Sequence, residues 1–330
     1  MAARLPIRIL GTGTYLPETV RDNQYFVDYL DTSNEWILTR TGIRERRCAA
    51  KDEFTSTLAA KAGQQALDDA GLTIDDIDVI ICGTATGDHG FPATATFVQA
   101  ELGGRDIPSF DVGAACAGFL HAMMTGVGFL ASGIYQRALV IGAEVLTRFA
   151  KNEDRSTVVL FGDGAGAAII GKTDNPRQGI LYADLGCDGS KANLITLPAG
   201  GSRLPASEMT VAERLHTLHM RGREVYKFAV NKMQELIDHA LAETGLTPAD
   251  LKLVIPHQSN LRIIESAREK MGLPREKVVV NIDRYGNTSA ASVPMGLDEA
   301  RRNGILQEGD LVLMVAIGAG LCWATMIMRL

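Results

Sequence analysis

The chain has few cysteines, and it lacks long apolar runs. Its five cysteines are spread singly, without a Cys-x-x-Cys pair, so neither a disulfide framework nor a zinc cluster is predicted; they are Cys48, Cys82, Cys116, Cys187 and Cys322. No run reaches the roughly 18 apolar residues that a membrane span needs, and the residues after Met1 lack a signal-peptide pattern. We therefore expect a cytoplasmic protein without a membrane span.

The chain also lacks an excess of positive charge, with 33 Lys and Arg residues against 39 Asp and Glu residues. The formal net charge of -6 at pH 7 argues against nucleic acid as a general partner, although it leaves room for a local basic patch that meets an acidic protein. Hydrophobic residues, in contrast, make up 46% of the 330 residues, and charged residues make up 22%. A chain of this length and composition can bury a large core and hold two domains.

Two parts of the chain resemble each other. Segments 71–81 and 245–255 align without a gap at an offset of 174, with identities at Gly, Leu, Thr, Asp and Ile. A second match, 133–136 with 304–307, has an offset of 171, and both segments precede an apolar run. Two matches in the same order predict two similar halves, 1–173 and 174–330.

Short β-branched runs alternate with helical patterns in these halves. Strands are predicted over Ile77–Ile81, Ile107–Val112, Ala138–Ile141, Leu251–Ile255 and Val278–Ile282. The stretch 222–243 carries an apolar stripe of period 3.6 that stops at Gly245, which predicts a helix. This alternation is typical of parallel strands with crossover helices, so we predict an α/β fold in which two βαβ-rich halves form one layered body.

Cys116 has a setting that the other cysteines lack. It follows the predicted strand Ile107–Val112 and opens a predicted helix, with small residues on both sides. A helix N-terminus favours a thiolate, so we expect a lowered pKa and a nucleophilic thiol. From the turn alone, the alternative is a buried cysteine that acts as a small hydrophobe.

Two polar segments follow strands in the second half. His257 comes directly after Leu251–Ile255 and Pro256, and Asn287 follows Val278–Ile282. Open α/β sheets bind ligands beyond the carboxyl ends of their strands. Asn287 also lies within three residues of the repeat partner of Cys116, so the two turns should face each other. Taken singly, His257 could be a structural histidine and Asn287 a helix cap.

Seven segments, spread nearly from end to end, form a specific set. They are Gly11-Thr12-Gly13-Thr14-Tyr15-Leu16-Pro17, Thr32-Ser33-Asn34-Glu35-Trp36-Ile37, Thr39-Arg40-Thr41-Gly42-Ile43-Arg44-Glu45-Arg46, Ala114-Ala115-Cys116-Ala117-Gly118-Phe119, Phe161-Gly162-Asp163-Gly164-Ala165-Gly166-Ala167-Ala168, His257-Gln258-Ser259-Asn260-Leu261-Arg262 and Gly286-Asn287-Thr288-Ser289-Ala290-Ala291-Ser292-Val293-Pro294. This set resembles the β-ketoacyl-acyl-carrier-protein synthase III family of the thiolase fold. The resemblance implies an α-β-α-β-α body, with the nucleophilic cysteine in 1–173 and the histidine and asparagine in 174–330.

The resemblance also implies an acyltransferase that initiates fatty acid or related polyketide synthesis. Cys116 would take an acyl group from acyl-coenzyme A, while the backbone N–H groups of Cys116 and Ala319 hold the oxyanion. Malonyl acyl carrier protein would then lose CO2, and N–H donors from neutral His257 and Asn287 would stabilise the enolate that attacks the acyl-cysteine. The condensation requires no metal or other cofactor, because both thioesters are substrates.

Further binding roles carry over from the family. Coenzyme A would contact Trp36, Arg40, Arg155 and Asn260, and the acidic carrier protein would contact Lys227, Arg262 and Lys270. Phe91 would line the acyl pocket of the partner in a homodimer. The chain departs from the family at Ala319, which often is glycine, and at Arg223, which commonly is asparagine near the pantetheine arm. The length and branching of the primer stay open.

Two other functions compete with condensation. A related acyltransferase would move the acyl group from Cys116 to an alcohol, amine or aromatic acceptor, and it need not keep Asn287. A scaffold that binds the carrier protein without catalysis would not need the nucleophile. The presence of Cys116, His257 and Asn287 together therefore favours condensation.

Overall fold

The structure, a computed structural model, describes residues 4–330. Its strands are β1 (Ile7–Tyr15), β2 (Thr19–Asp22), β3 (Glu45–Cys48), β4 (Val79–Gly83), β5 (Ser109–Val112), β6 (Arg137–Val145), β7 (Asp163–Lys172), β8 (Gly179–Cys187), β9 (Ile195–Thr196), β10 (His219–Met220), β11 (Leu253–Pro256), β12 (Leu311–Ile317) and β13 (Cys322–Arg329). Its helices are α1 (Asn23–Val27), α2 (Asn34–Thr41), α3 (Thr55–Ala70), α4 (Thr94–Glu101), α5 (Gly118–Ser132), α6 (Glu208–Ala212), α7 (Gly222–Thr244), α8 (Leu261–Lys270), α9 (Ile282–Tyr285) and α10 (Ser292–Arg302). Short 3₁₀ turns connect several of them.

Two principal sheets and three helical layers form the body. One sheet has the order β1-β7-β6-β4-β5, and the other has the order β11-β12-β13-β8. Alternation along β4 shows how the layers divide: Val79 and Ile81 face the core with α5 and α10, whereas Ile80 and Cys82 face the core with α3. Helices α7 and α8 cover the outer face of the second sheet. The predicted α-β-α-β-α architecture is therefore present.

The internal repeat also appears in the residues at which strands begin. β4 begins at Val79 and β11 at Leu253, while β6 begins at Arg137 and β12 at Leu311, so both pairs keep the offset of 174. Before each of β4 and β11, a threonine and an aspartate form the same capping box, which explains the sequence match at 71–81 and 245–255. The predicted helix over 222–243 is also confirmed, and it ends at Gly245 in a left-handed conformation.

The strand predicted over Val278–Ile282 is wrong. Only one bridge forms there, between Val254 and Val278. The backbone N–H groups of Asn281 and Ile282 instead donate to the side-chain oxygen of buried Gln258, each at 3.1 Å. That side chain replaces the neighbouring strand as the acceptor, so the segment turns into α9 rather than continuing the sheet.

One stretch among residues 4–330, Ala115–Ser132, is long and apolar enough to cross a membrane by length and composition alone. It corresponds to α5 and the short turn before it, and half of its residues are buried. Its side chains Phe119, Leu120 and Met123 belong to the core cluster between the two sheets. Packing between sheets accounts for its apolar composition.

Candidate active site

Two short 3₁₀ turns, Ala115–Ala117 and Ser289–Ala291, meet between the sheets. Each begins with a residue at positive φ, 45° for Ala115 and 47° for Ser289, and each continues directly into a long helix. A β-carbon built on Gly118 would lie 3.4 Å from the Cβ of Ala290, so the turns are in contact, as the duplication predicted. Backbone in this region is strained for residues other than glycine, which marks both turns as functional candidates.

Cys116 lies at the tip of the first turn and is partly exposed to a cavity of about 260 Å³. Burial on its other sides raises the pKa of the thiol to about 12. The expectation of a lowered pKa is therefore wrong for the unliganded protein, because desolvation of a thiolate outweighs the short helix N-terminus. The Cys116 thiol is therefore protonated near pH 7.

A third turn, which starts at Gly318, brings a backbone N–H donor close to Cys116. A β-carbon on Gly318 would lie 2.6 Å from the Ala114 carbonyl and 2.8 Å from the Cys116 nitrogen, so only glycine fits there. The Gly318 N–H donates to the Cys322 carbonyl at 2.7 Å. Ala319 begins the short helix Ala319–Leu321, and its N–H therefore has no partner within that helix. It is the available donor beside Cys116.

His257 is buried, with only 2% of its surface exposed. Burial lowers its pKa to about 3, so the imidazole is neutral near pH 7, as the sequence reasoning expected. Its Nδ1 lies 2.7 Å from the Ser292 hydroxyl, and that hydroxyl donates to the Ser289 carbonyl at 2.9 Å. With the hydroxyl proton placed there, Nδ1 is the N–H donor and Nε2 is an acceptor.

Asn287 lies just before the turn Ser289–Ala291, where backbone hydrogen bonds hold it. Its backbone N–H donates to the Leu160 carbonyl at 2.8 Å, and its carbonyl accepts from Gly162 at 3.1 Å. The side-chain Oδ1 accepts the Ser289 N–H at 2.9 Å. Since Oδ1 is engaged, the amide Nδ2 is the group that can donate to a ligand in the cavity, which Asn287 lines.

Glu144 is a site residue that sequence reasoning missed. It is fully buried behind Cys116, accepting hydrogen bonds from Thr86 Oγ1 at 2.6 Å and Ser289 Oγ at 2.9 Å. Burial raises the pKa of its carboxyl, although the hydrogen bonds from Thr86, Ser289 and backbone N–H groups oppose that rise. A glutamate inside the apolar run of β6 was the signal that could have revealed it, since buried carboxylates need dedicated donors.

The residues expected to bind coenzyme A lie together at the surface. The guanidinium groups of Arg40 and Arg155 lie 4.9 and 5.1 Å from the centre of the Trp36 ring. Asn260 caps α8 by accepting the Arg262 N–H at 2.9 Å, and its amide donates to the Arg40 carbonyl at 3.0 Å. Asn260 therefore has a structural role and also lines the cavity.

The proposed carrier-protein contacts divide into two places. Arg262 is exposed in the first turn of α8 and lies 5.5 Å from the ring of Tyr226, which lines the cavity. Lys227 is exposed next to Tyr226 in the sequence, whereas Lys270 ends α8, about 12 Å further along the helix axis at 1.5 Å per residue. Phe91 is 90% exposed.

The site brings together a thiol, a neutral imidazole, an amide and two backbone donors, which are groups that transfer an acyl unit and stabilise negative oxygen. Across residues 4–330 there is no cluster of three or more His, Cys, Asp or Glu side chains suited to a metal. Together with the layered fold, this arrangement defines a thiolase-fold acyltransferase.

Comparison with known proteins identifies the family. The family model described as 3-oxoacyl-[acyl-carrier-protein (ACP)] synthase III matches residues 110–189, and the model of its C-terminal part matches residues 241–330. The chain is 48% identical over 329 residues to a β-ketoacyl-[acyl-carrier-protein] synthase III of Caldanaerobacter subterraneus, covering 100% of this chain and 99% of that relative. The chain therefore belongs to the β-ketoacyl-acyl-carrier-protein synthase III family and is a condensing acyltransferase.

Solved structures agree with this assignment. The 3-oxoacyl-[acyl-carrier-protein] synthase III of Aquifex aeolicus superimposes with a TM-score of 0.90 at 42% identity, covering 98% of this chain and 100% of that one. The priming β-ketosynthase of the R1128 polyketide biosynthetic pathway superimposes with a TM-score of 0.90 at 35% identity, covering 100% and 98%. Both structures share the fold of this chain over nearly its whole length.

Proposed function

We propose that this protein forms a β-ketoacyl carrier-protein thioester in two half-reactions, by acylation of Cys116 from acyl-coenzyme A and decarboxylative condensation with malonyl acyl carrier protein. The observation that carries the proposal is the convergence of Cys116, His257 and Asn287 on one cavity, with Ala319 beside them. The relatives' names supply the carrier protein and the β-ketoacyl product. The reaction initiates fatty acid synthesis.

In the first half-reaction, the Cys116 thiol attacks the thioester carbonyl. The bare Nε2 of His257 can accept the thiol proton when the Ser292 hydroxyl donates to Ser289. The backbone N–H groups of Cys116 and Ala319 stabilise the oxyanion. Coenzyme A leaves as a thiol after taking a proton, and the acyl group remains on sulfur.

In the second half-reaction, the malonyl carboxylate leaves as CO2 and its electrons form an enolate. Asn287 Nδ2 and an Nε2–H of His257 would donate to the enolate oxygen. The histidine donor requires the other tautomer, in which the Ser292 hydroxyl donates to Nδ1. The enolate carbon then attacks the acyl group and expels the Cys116 thiolate, which takes up a proton from solvent.

The surface features support the remaining partners. Trp36 with Arg40 and Arg155 offers a stacking face and positive charge for the nucleotide end of coenzyme A. Arg262 beside the cavity-lining Tyr226, and the exposed Lys227 next to Tyr226 in the sequence, suit an acidic carrier protein. The exposed Phe91 suits a homodimer in which it reaches the partner's pocket. Acyl-coenzyme A and malonyl acyl carrier protein as substrates suit a cytoplasmic enzyme.

The test is turnover with a panel of acyl-coenzyme A primers and malonyl acyl carrier protein, followed by mass spectrometry of the carrier. We expect a β-ketoacyl carrier protein that contains the primer carbon atoms plus two from malonate. Acylated alcohols, amines or aromatics without CO2 release would instead establish the non-condensing acyltransferase, which the identity of the relatives does not favour. The same panel would reveal the preferred primer length and branching.

A further inference from the structure

Two cysteines outside the catalytic trio lie directly opposite each other. Cys322 begins β13 and Cys187 ends β8, and the antiparallel register pairs them. Burial and, after it, the neighbouring Cys187 raise the pKa of the Cys322 thiol. Cys187 is exposed and Cys322 is partly exposed, so neither thiol is sealed in the core.

The local hydrogen bonding shows which kind of pair this is. The Asp188 N–H donates to the Leu321 carbonyl at 3.1 Å, one step further along the ladder. In an antiparallel sheet, hydrogen-bonded and non-hydrogen-bonded pairs alternate, so Cys187 and Cys322 form a non-hydrogen-bonded pair. Cα atoms of such pairs are about 4.5 Å apart, inside the range of about 4.4–6.8 Å that a disulfide spans.

We propose that Cys187 and Cys322 form a reversible cross-strand disulfide by exchange with a low-molecular-weight disulfide, and that this bond constrains the turn that carries Ala319. Cys187 is the entry point, because it lines an open groove of about 860 Å³. Burial raises the pKa of Cys322, which suits it to act second.

The exchange balances in two steps. The Cys187 thiolate attacks one sulfur of the small disulfide, which forms a mixed disulfide and releases one small thiol. The Cys322 thiolate then attacks the Cys187 sulfur and releases the second small thiol. The two protein thiols are oxidised, the reagent is reduced to two thiols, and the two thiol protons pass to the departing sulfur atoms.

The new bond would act on the catalytic turn through the backbone. Cys322 directly follows the helix Ala319–Leu321, and its carbonyl accepts the Gly318 N–H at 2.7 Å. Gly318 in turn packs against the backbone of Ala114 and Cys116. A displacement of Cys322 would therefore also move Ala319, whose backbone N–H is the proposed oxyanion donor. This consequence rests on the proposed function, whereas formation of the disulfide does not.

The first experiment detects the bond itself. The full-length protein is equilibrated anaerobically with oxidised glutathione, free thiols are alkylated, and tryptic peptides are measured by mass. We expect the peptides 178–191 and 303–329 to be joined, and dithiothreitol to separate them. Glutathione carried on Cys187, without the joined peptides at any glutathione ratio, would overturn the proposal.

The second experiment measures the consequence. Oxidation should slow acylation of Cys116 from acyl-coenzyme A by up to about 10²-fold, the scale of losing one oxyanion donor, and dithiothreitol should restore the rate. The Cys187→Ser variant should have normal basal activity and resist this loss, which separates it from direct oxidation of Cys116. Joined peptides with an unchanged acylation rate would overturn the constraint on the turn, and an equal loss in Cys187→Ser would assign the inhibition to Cys116.

Discussion

Two turns of the site have equal length, Ala115–Ala117 and Ser289–Ala291. Each has a positive φ at its first residue and is followed directly by a helix, α5 or α10, yet the two turns carry different side chains. The first presents Cys116, and the second presents Ala290 at the equivalent position. Around the second turn, Asn287, Ser289 and Ser292 provide polar groups instead. In the proposed reaction, the first turn carries the acyl group on Cys116, and the second turn supplies hydrogen-bonding groups.

The same division appears at other repeat positions. At the offset of 174, glycine residues of the first half correspond to catalytic candidates of the second: Gly83 to His257 and Gly113 to Asn287. Glu144 corresponds to Gly318. A β-carbon on Gly83 would lie 2.4 Å from the carbonyl carbon of Gly118, so a histidine there would displace α5. At Gly83 the first half needs close packing where the second half carries a side chain, and at Glu144 and Gly318 this relation is reversed.

Substitution at Gly318 tests a close contact between the halves. In Gly318→Ala, the added methyl group would meet the backbone of Ala114 and Cys116, so the Ala319 donor must move away. We expect acylation of Cys116 to fall by about 10²–10³-fold, as when an oxyanion donor is lost. Ala319→Gly is the matched control, because it keeps the backbone N–H and should change the rate little. Normal acylation in Gly318→Ala would exclude this turn from the oxyanion site.

The buried imidazole makes the second half sensitive to acid. The folded-state pKa of His257 is about 3, against 6.5 ordinarily, so the unfolded chain binds more protons between these values. The contribution of His257 to stability is therefore present above pH 6.5 and is lost as pH falls, by about 1.4 kcal/mol per pH unit. The free energy of unfolding, measured with urea, should fall less between pH 7 and pH 5 in His257→Gln than in the wild type. The exposed His239→Gln should behave like the wild type, and an unchanged acid loss in His257→Gln would contradict a buried neutral histidine.

Ser292 should act mainly in decarboxylation, the half-reaction in which its hydroxyl donates to His257 Nδ1. Ser292→Ala removes the hydroxyl at 2.7 Å from His257 Nδ1, and we expect CO2 release to fall on the order of 10-fold, the value of one hydrogen bond. The loss should appear in kcat more than in KM, and Ser292→Thr should restore much of it by keeping a hydroxyl. An equal loss of Cys116 acylation and CO2 release would mean that Ser292 supports both half-reactions.

Surface charge should have the smallest effect. Arg262→Glu should weaken the use of malonyl acyl carrier protein several-fold at low salt, because an exposed charge is screened and contributes modestly. Lys270→Glu is the matched control at the other end of α8. Self-acylation from acyl-coenzyme A should stay normal in both. Equal effects of the two variants on KM for the carrier protein would extend the docking surface along the whole helix.

The sequence predicted the layered fold from its repeat and its alternation of strands and helices, and it predicted Cys116 and His257 on turns that follow strands. Asn287 was predicted through the repeat and the family resemblance, since the strand expected before it does not form. It could not predict the pKa of Cys116, since desolvation depends on packing from both halves. Glu144 was missed for the same reason: its donors come from segments far apart in sequence, at Thr86 and Ser289. The false strand at Val278–Ile282 arose because a single side chain, Gln258, takes over the role of a neighbouring strand.

The division of labour between the two turns is tested most directly by measuring labelled CO2 release and acyl-protein mass together. In His257→Ala and Asn287→Ala, Cys116 should still become acylated, at the normal rate in Asn287→Ala and more slowly in His257→Ala, which has lost the proton acceptor. CO2 release from malonyl acyl carrier protein should fall by about 10²–10³-fold in both variants. In Cys116→Ser, condensation should be lost while residual decarboxylation remains. Normal CO2 release from Asn287→Ala would contradict the account, because the enolate would then be stabilised elsewhere than at the second turn.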